Sequence, residues 1–595
     1  MKKIVSLMLA LTMLMGLMAG CGTESTASAE SEASAGQTAT AAPTDDAAQP
    51  DETQPEATDS AVESSLEAAE ESQEKGPFTP AHAELPIADG AELTYFCELP
   101  GYMSMFNVNS YDDMNPFKFA EELLGVDVQF TIVNSESFST NFQLMVASGD
   151  ITDLVGGASN EYTSTSQMLE DGVAVDLMEY QDQLPNYWSA LNHYDEYQTI
   201  AITQDGTMPE VICIADDYKV QSGMQIRADW LEQVGMEVPE TIDELHDVLA
   251  AFVSECGADH ALLLTGSPQM TGSAIVGGMG SIGYDPSTTA NMYVVDGEIR
   301  NGFLDEAYKE YMEMIAQWYS EGLIAQDFAT ESNDPFTSKA DSYISGGNAG
   351  VWSSMSDNMD ANMVTGKELD PNYDIAPMAQ PMETAGDIFH FGDTRIGSSA
   401  MGKSIAISDN CEDVELACAF IDFFFTEEGI NLANYGLVDN DNWQFDNQED
   451  AIANIATETN VERLTDGTFP MISFGMTYYT LACVATLQDF DRQFGTYSEK
   501  NLEAMDLWTE TSDDLYTLPT QVELTYEESQ EYSEIWTDLS TYANTEVFKF
   551  VMGEYNFDED WDNFITQLEE MGIQDCIDLY QAAYDRYVEA YGIEA

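Results

Sequence analysis

The chain has 595 residues, 44% hydrophobic and 11% aromatic, enough to bury more than one core at about 100–200 residues per domain. It carries 109 Asp and Glu against 17 Lys and Arg, a net charge of -92, and self-repulsion on that scale opposes nonspecific contact with nucleic acid or an anionic membrane surface. The acidity fits a solvated surface outside a cell or a salt-adapted proteome, with specific cation binding as the alternative, and says little about fold.

Residues 1–20 begin with two lysines and continue as an apolar run from Ile4 to Ala19. The run is too short and wrongly flanked for a spanning helix, and it fits a secretory signal peptide. It closes on Met18-Ala19-Gly20-Cys21. Small residues directly before a cysteine resemble a lipobox, although leucine is usual where Met18 stands. The expectation is an acylated Cys21, with palmitate-type chains, as the new N-terminus. An ordinary signal peptide with an incidental cysteine is the alternative. Two or three acyl chains would anchor the protein stably, whereas one is marginal. Residues 21–82 are mostly Ser, Ala, Thr, Glu, Gln and Pro, with almost no large apolar side chain. Such a stretch cannot bury enough surface to fold and reads as a flexible acidic tether. No later apolar run reaches the roughly 18 residues of a spanning helix, so no second membrane segment is expected.

From Glu84 the composition turns globular. Residues 92–97 (ELTYFC) alternate like a first strand, residues 117–124 read as a helix, and residues 126–133 (VDVQFTIV) as a second strand. Residues 142–148 are helical and run into Gly149-Asp150-Ile151-Thr152-Asp153-Leu154-Val155, and residues 168–177 carry a further helix and a turn at Gly172. This alternation predicts an open, mainly parallel sheet covered by helices.

Residues 222–253 carry the clearest local signals. Residues 224–227 read as a buried strand end, and residues 228–234 as one or two helical turns stopped by Gly235. After Pro239, Thr241 and Glu244 form a capping box, in which each side chain satisfies an orphan backbone N–H of the other. Leu245, Val248, Leu249 and Phe252 then recur at i, i+3, i+4 and i+7, one buried helical stripe. Residues 261–264 form a short buried strand. The Gly-rich stretch 274–283 lacks phosphate-loop spacing. Residues 305–322 predict a helix with Tyr308, Tyr311, Met312, Ile315 and Trp318 inward, and residues 345–352 (SGGNAGVW) a turn into a strand. Residues 414–426 predict a helix with Val414, Ala417, Ile421 and Phe424 on one side. Beyond residue 515 the chain is helical. A second capping box, Thr525 with Glu528, precedes Tyr532, Ile535, Leu539 and Tyr542. Two more stripes run through Trp561, Phe564 and Leu568, and through Cys576, Leu579, Tyr580, Ala583 and Tyr587.

Catalytic and metal signatures are weak. His82, His193, His246, His260 and His390 stand in no H-E-x-x-H, and no G-x-S-x-G occurs. Carboxylates are too numerous for a glycosidase pair to be picked out by spacing. Seven scattered cysteines follow Cys21 without a C-x-x-C pair, so small buried thiols are expected rather than a disulfide framework or a metal site. Asp439-Asn440-Asp441-Asn442 lacks the glycine turn and distal glutamate of a calcium loop and reads as a polar turn. No cofactor is expected. The 29 Tyr, 27 Phe and 8 Trp suit stacking on sugar faces, but suit core packing equally well.

Separate landmarks recur in order. Residues 147–153 (ASGDITD) look like an A-S-G-D-x-P-D motif with Thr152 in place of the proline, and residues 172–177 (GVAVDL) follow. Next come residues 226–249 (IRADWLEQVGMEVPETIDELHDVL), the helix end Glu321-Gly322-Leu323-Ile324, and the turn 345–350 (SGGNAG). Residues 427–436 (EEGINLANYG) are followed by Leu437-Val438-Asp439 where G-I-E-G is usual, so that loop can differ in its contacts. Leu518-Pro519, residues 525–528, Gly553, Asp560-Trp561 and Tyr584 complete the set. Together these span about residues 90–590 and resemble the extracellular solute-binding proteins, family 1, the lipoprotein receptors of carbohydrate ABC importers in Gram-positive bacteria. Some relatives carry a calcium loop just after the segment equivalent to residues 245–252. Here residues 254–260 hold only Glu255 and Asp259 as carboxylates, and no such loop or other metal site is expected.

The resemblance implies an α/β fold of the type II periplasmic-binding-protein-like class, two α/β lobes with a hinge and an interlobe ligand cleft. It implies a first lobe from residues 83–205 plus 380–435 and a second from residues 206–379 plus 436–595, with crossings near 200–210, 375–385 and 430–440. Ligand touching both lobes shifts the balance towards a closed form that docks on the permease. The implied ligand contacts are Asn160, Glu161 and Tyr162 on the first lobe, Gln225 and Arg227 near the cleft, and a stacking Trp352. Arg227 reads equally as a structural ion pair, and Trp352 also as a core ring. Arg395 is a lone cation beside Phe389, His390, Phe391 and Ser398, suited to an acidic sugar. Trp443, Phe474 and Tyr478 are further aromatic candidates. The implied function is capture of an oligosaccharide for delivery to ABC permease subunits, by a monomer at the extracellular face, attached to the membrane only through the lipid on Cys21 and not binding nucleic acid. A same-fold receptor for a peptide or organic acid is the alternative, and a secreted glycan-active enzyme a weaker one.

Overall fold

The chain turns globular a few residues earlier than its composition suggests, because one ring finds a seat. Phe78 packs on His193 and Tyr194 at ring-centroid distances of 5.3 and 6.0 Å. The Glu427 N–H donates to the Ala81 carbonyl, and the Glu428 carboxylate accepts from the Ala83 N–H at 2.8 Å. The end of the stretch expected to be a free tether is thus docked. The structure, a computed structural model, describes residues 76–592 apart from 100–109, 112–114, 135–136, 163, 166, 216–218, 265, 271–272, 284–290, 331–337, 393–403, 436–482 and 490–496. Cys21, Arg395, Asp439, Trp443, Phe474 and Tyr478 lie outside the described residues.

Strand β1 (Ala91–Glu98) pairs in parallel with β2 (Val126–Val133) along its whole length and with β3 (Leu154–Gly156) on its other edge. A late strand, β11 (Ile405–Ile407), adds antiparallel to β3, giving the order β11-β3-β1-β2. Leu93, Tyr95 and Cys97 of β1 face one buried cluster while Phe96 faces another. Burial on both faces is what a sheet covered by helices on each side requires. The helix Phe138–Ser148 ends on Gly149, whose φ of 70° is the left-handed conformation that glycine adopts without a Cβ penalty.

The second sheet is built from β5 (Ser222–Arg227), β6 (His260–Leu262), β9 (Ala349–Met355) and β10 (Ile375–Met378) in the order β10-β5-β9-β6. β9 runs parallel to β6 but antiparallel to β5, which is also antiparallel to β10. This sheet is therefore mixed. Both capping boxes form, Thr241 with Glu244 and Thr525 with Glu528. The helix Glu306–Glu321 buries Tyr308, Tyr311, Met312, Ile315 and Trp318, the stripe its spacing predicts. A hairpin of β7 (Met292–Val295) and β8 (Glu298–Asn301) packs with Leu524 and with Tyr532 and Tyr580 of the C-terminal helices.

Two large apolar cores follow, one around each sheet. Met208, Val211 and Ile212 join the first core, where Val211 bridges to Ile405. Strand β4 (Ile214–Ala215) pairs with β12 (Leu487–Gln488), which brings residues 483–487 into the first core as well. Residues 381–391 pack against the Gly-rich stretch beside the second core. A Cβ on Gly277 would lie 2.3 Å from the Phe389 ring, and one on Gly278 2.1 Å from the Pro381 carbonyl oxygen. Those glycines are there for close approach rather than for phosphate binding.

Among the described residues six of the seven cysteines are buried and all seven are free thiols. Among the described residues no group of three His, Cys, Asp or Glu side chains is placed to hold a metal ion, and no helix is long and apolar enough to cross a membrane.

Candidate functional site

At the carboxyl end of β3 the chain turns on Gly157 (φ 68°) into the short helical turn Ala158–Glu161. The Gly157 N–H donates to the Ser404 carbonyl at the start of β11. Ser159 and Ser404 bring their hydroxyls to 3.3 Å, and the Ser404 hydroxyl donates to Glu210 Oε2 at 2.6 Å. Glu210 is 3% exposed, held there because its neighbour Val211 pairs with Ile405. Burial pushes its carboxyl up to about 7, against the opposing hydrogen bonds from Ser404 and Ser159, and the charge of Glu523 pushes the same way. Glu210 Oε1 is buried without a hydrogen-bond partner.

Glu523 arrives from the other end of the chain. The Thr165 N–H donates to its Oε2 at 3.1 Å, and the Thr165 hydroxyl donates to its Oε1 at 3.1 Å. Burial raises this carboxyl to about 7 as well, the Thr165 bonds oppose the shift, and Asp205 adds to it. The same seam carries three more contacts. Gln204 Nε2 donates to the Gln521 carbonyl at 2.7 Å, Gln521 Nε2 donates to the Thr199 hydroxyl at 3.3 Å, and the Tyr591 hydroxyl donates to the Ile202 carbonyl at 3.0 Å.

These contacts bound a cavity of about 460 Å³, within the size range of small-molecule sites. One wall is residues 164–170 and 199–207, with Ile200 and Ile202 packed on the first core and Leu169 on the cluster behind the first sheet. The other is residues 520–527 with Arg586 and Tyr591, supported by Val522 and Leu524 in the C-terminal cluster. The lining mixes hydroxyl, amide and carboxylate groups with the apolar side chains of Leu169, Ile200, Ile202 and Leu524 and the rings of Tyr526 and Tyr591. Such a surface can hydrogen-bond a polyhydroxy ligand from two sides. Arg586 grips Glu528 through both terminal nitrogens (2.8 and 2.6 Å) and donates to the Glu523 carbonyl.

Of the residues singled out in the sequence, Asn160, Glu161 and Tyr162 sit in the turn that leads directly to Ser164 and Thr165. Asn160 is exposed. The Tyr162 ring stands edge-on to Phe142, and its hydroxyl donates to Asp171 at 3.1 Å. Burial pushes this phenol up. Gln225, Arg227 and Trp352 come together elsewhere, inside the second core. Gln225 Nε2 donates to the Ser354 and Met355 carbonyls, and its Oε1 accepts from the Trp352 indole N–H at 3.0 Å. Trp352 is 1% exposed and is a core ring. Arg227, 2% exposed, makes a two-pronged pair with Asp229 (2.8 and 2.7 Å), donates to the Gly347 carbonyl, and lies 4.2 Å from the ring centres of both Trp230 and Tyr373. It is the structural ion pair that the sequence left open. Thr165, Glu210, Ser404 and Glu523 were not singled out, and nothing in their spacing marks them. Only the Thr525–Glu528 capping box, just past Glu523, was a local signal.

Two sheet-centred bodies linked by several crossing segments, with a polar cavity walled from both ends of the chain, define a two-lobed ligand receptor of the type II periplasmic-binding-protein-like class. A family profile described as bacterial extracellular solute-binding protein matches residues 114–430, more than half of the chain, and the protein belongs to that family. The fructooligosaccharide ABC transporter substrate-binding protein FusA of Streptococcus pneumoniae is 24% identical over 502 residues, covering 78% of this chain and 86% of FusA. Among solved structures, a human-milk-oligosaccharide-binding ABC-transporter-associated solute-binding protein from Bifidobacterium longum infantis superposes with a TM-score of 0.64 at 17% identity, covering 84% of this chain and 99% of that one. The alginate-binding protein AlgQ2, solved without calcium ion, gives 0.62 at 21%, covering 85% and 100%.

Proposed function

We propose that this protein is the substrate-binding lipoprotein of an ABC importer, capturing an oligosaccharide between its lobes and delivering it to the membrane permease. The observation that carries the reading is the cavity with one wall on each side of the Thr165–Glu523 seam, since a ligand favours closure only by touching both sides. The lobes follow the two cores, residues 83–215 with 404–435 and 483–489, and residues 219–392 with 499–592. The saccharide is favoured by the lining of hydroxyls, amides and carboxylates, and by the FusA and milk-oligosaccharide relatives. The turn of Asn160, Glu161 and Tyr162 supplies first-lobe contacts at the rim. Cys21 carries the lipid that holds the protein at the outer face of a Gram-positive membrane, and the receptor works as a monomer without catalytic turnover.

Thermal shift against neutral oligosaccharides, uronides, peptides and organic acids tests this, because a ligand that binds only the folded form raises the midpoint by mass action. Saccharides should raise it and peptides should not. A rise with peptides or organic acids alone would replace the sugar by another solute, and release of reducing ends on incubation would make the protein an enzyme. Small-angle scattering should show contraction with the tightest saccharide.

A further inference from the structure

We infer that the cavity selects uncharged saccharides and turns away uronate-bearing ones, an inference that rests on the saccharide reading above. Carboxylates already stand on both of its walls. Glu170 and Asp205 line the first, and Glu523 and Glu527 the second. Glu210 lies close enough behind the first wall for the charge of Glu523 to act on it.

The hydrogen bonds that Glu523 and Glu210 receive come from neutral donors. Glu523 takes the N–H and hydroxyl of Thr165, and Glu210 takes the hydroxyl of Ser404. Among the described residues the cation in the lining is Arg586, which has both terminal nitrogens on Glu528 and one on the Glu523 carbonyl. A uronate entering here would lose hydration and meet like charges, and pairing with Arg586 would require breaking the Glu528 fork. A buried charge is tolerated only when paired, and two carboxylates in one site disfavour each other's ionised form. A hydroxyl meets the opposite situation. Each sugar hydroxyl has a proton to donate, and the walls are rich in acceptors. The site is matched to ligands that bring O–H donors and no negative charge.

The test is calorimetric titration of the full lipidated chain in detergent at pH 7.5, with size-matched sugars. One arm is kestose, nystose and neutral milk oligosaccharides, and the other is galacturonate and mannuronate trimers. The inference expects at least one neutral sugar to bind tenfold or more tighter than every uronate. It also expects Glu523→Gln to narrow that ratio. Uronate binding equal to or tighter than neutral binding would overturn the inference and leave the saccharide reading standing. Binding of no sugar in either arm would remove the saccharide reading, and this inference with it.

Discussion

Glu523 accepts two hydrogen bonds from Thr165, a residue 358 positions earlier in the chain. One donor is backbone and the other side chain, so the pairing fixes both the position of the turn after β3 and the path of residues 520–524. Through it the last part of the chain is fastened to the end of the first sheet.

Replacing Thr165 by Val keeps the backbone donor and the approximate shape, and removes the hydroxyl. Glu523 then loses one of its two donors in a partly enclosed site, at about 1–3 kcal/mol. The variant should bind saccharide roughly tenfold or more weakly, and its scattering profile without ligand should be more expanded than that of the parent. An unchanged affinity with a lowered melting point would make the contact purely structural.

The acidity of Glu523 gives a pH signature. Its carboxyl, ordinarily near 4.5, stands at about 7 in the folded protein. Between those values the folded state keeps a proton that the unfolded chain has released, so stability falls as pH rises through that window and levels off above it. The shift, 7 minus 4.5, is about 2.5 units, which sets a ceiling of about 3 kcal/mol at 1.36 kcal/mol per unit. Glu523→Gln cannot titrate, so its melting point should drop less between pH 5 and pH 7.5 than that of the parent. Parallel curves for the two proteins would contradict the assignment.

Arg227→Ala should be costly without touching ligand directly. It strands Asp229 in the second core and leaves the gap between the Trp230 and Tyr373 rings empty. Breaking a buried pair by removing one partner costs about 3–5 kcal/mol. Denaturant titration should show a midpoint shift of that size. Intact stability with lost saccharide binding would instead make Arg227 a ligand contact.

Cys21→Ala should move the protein from the membrane fraction to the medium and abolish incorporation of labelled palmitate. A protein still sedimenting with membranes would mean that something other than the cysteine holds it.

What was legible in the sequence was local. The stripe Tyr308-Tyr311-Met312-Ile315-Trp318 and the two capping boxes depend on neighbours within a turn or two, and they form as the spacing says. The class of fold was legible from landmarks in order. The site was not, for two physical reasons. Its partners are hundreds of residues apart, so no periodicity links Thr165 to Glu523 or Glu210 to Ser404. A tryptophan or arginine also reads the same in a core as in a cleft. Trp352 and Arg227 belong to the core because Gln225 and Asp229 satisfy their polar groups there. Long-range strand pairing was equally out of reach of the sequence: Val211 pairs with Ile405, and Leu487 with Ile214.

The hydroxyl of Tyr591 rests on the Ile202 carbonyl, 389 positions earlier in the chain. One wall of the cavity is thus made of polypeptide synthesised hundreds of residues after the other. While the chain is emerging from the ribosome or the export channel, the first sheet can assemble with this flank bare and no guest can yet be held. A label attached to Tyr591 itself would stand on the binding wall, so affinity measured with it would report on the attachment as much as on the receptor.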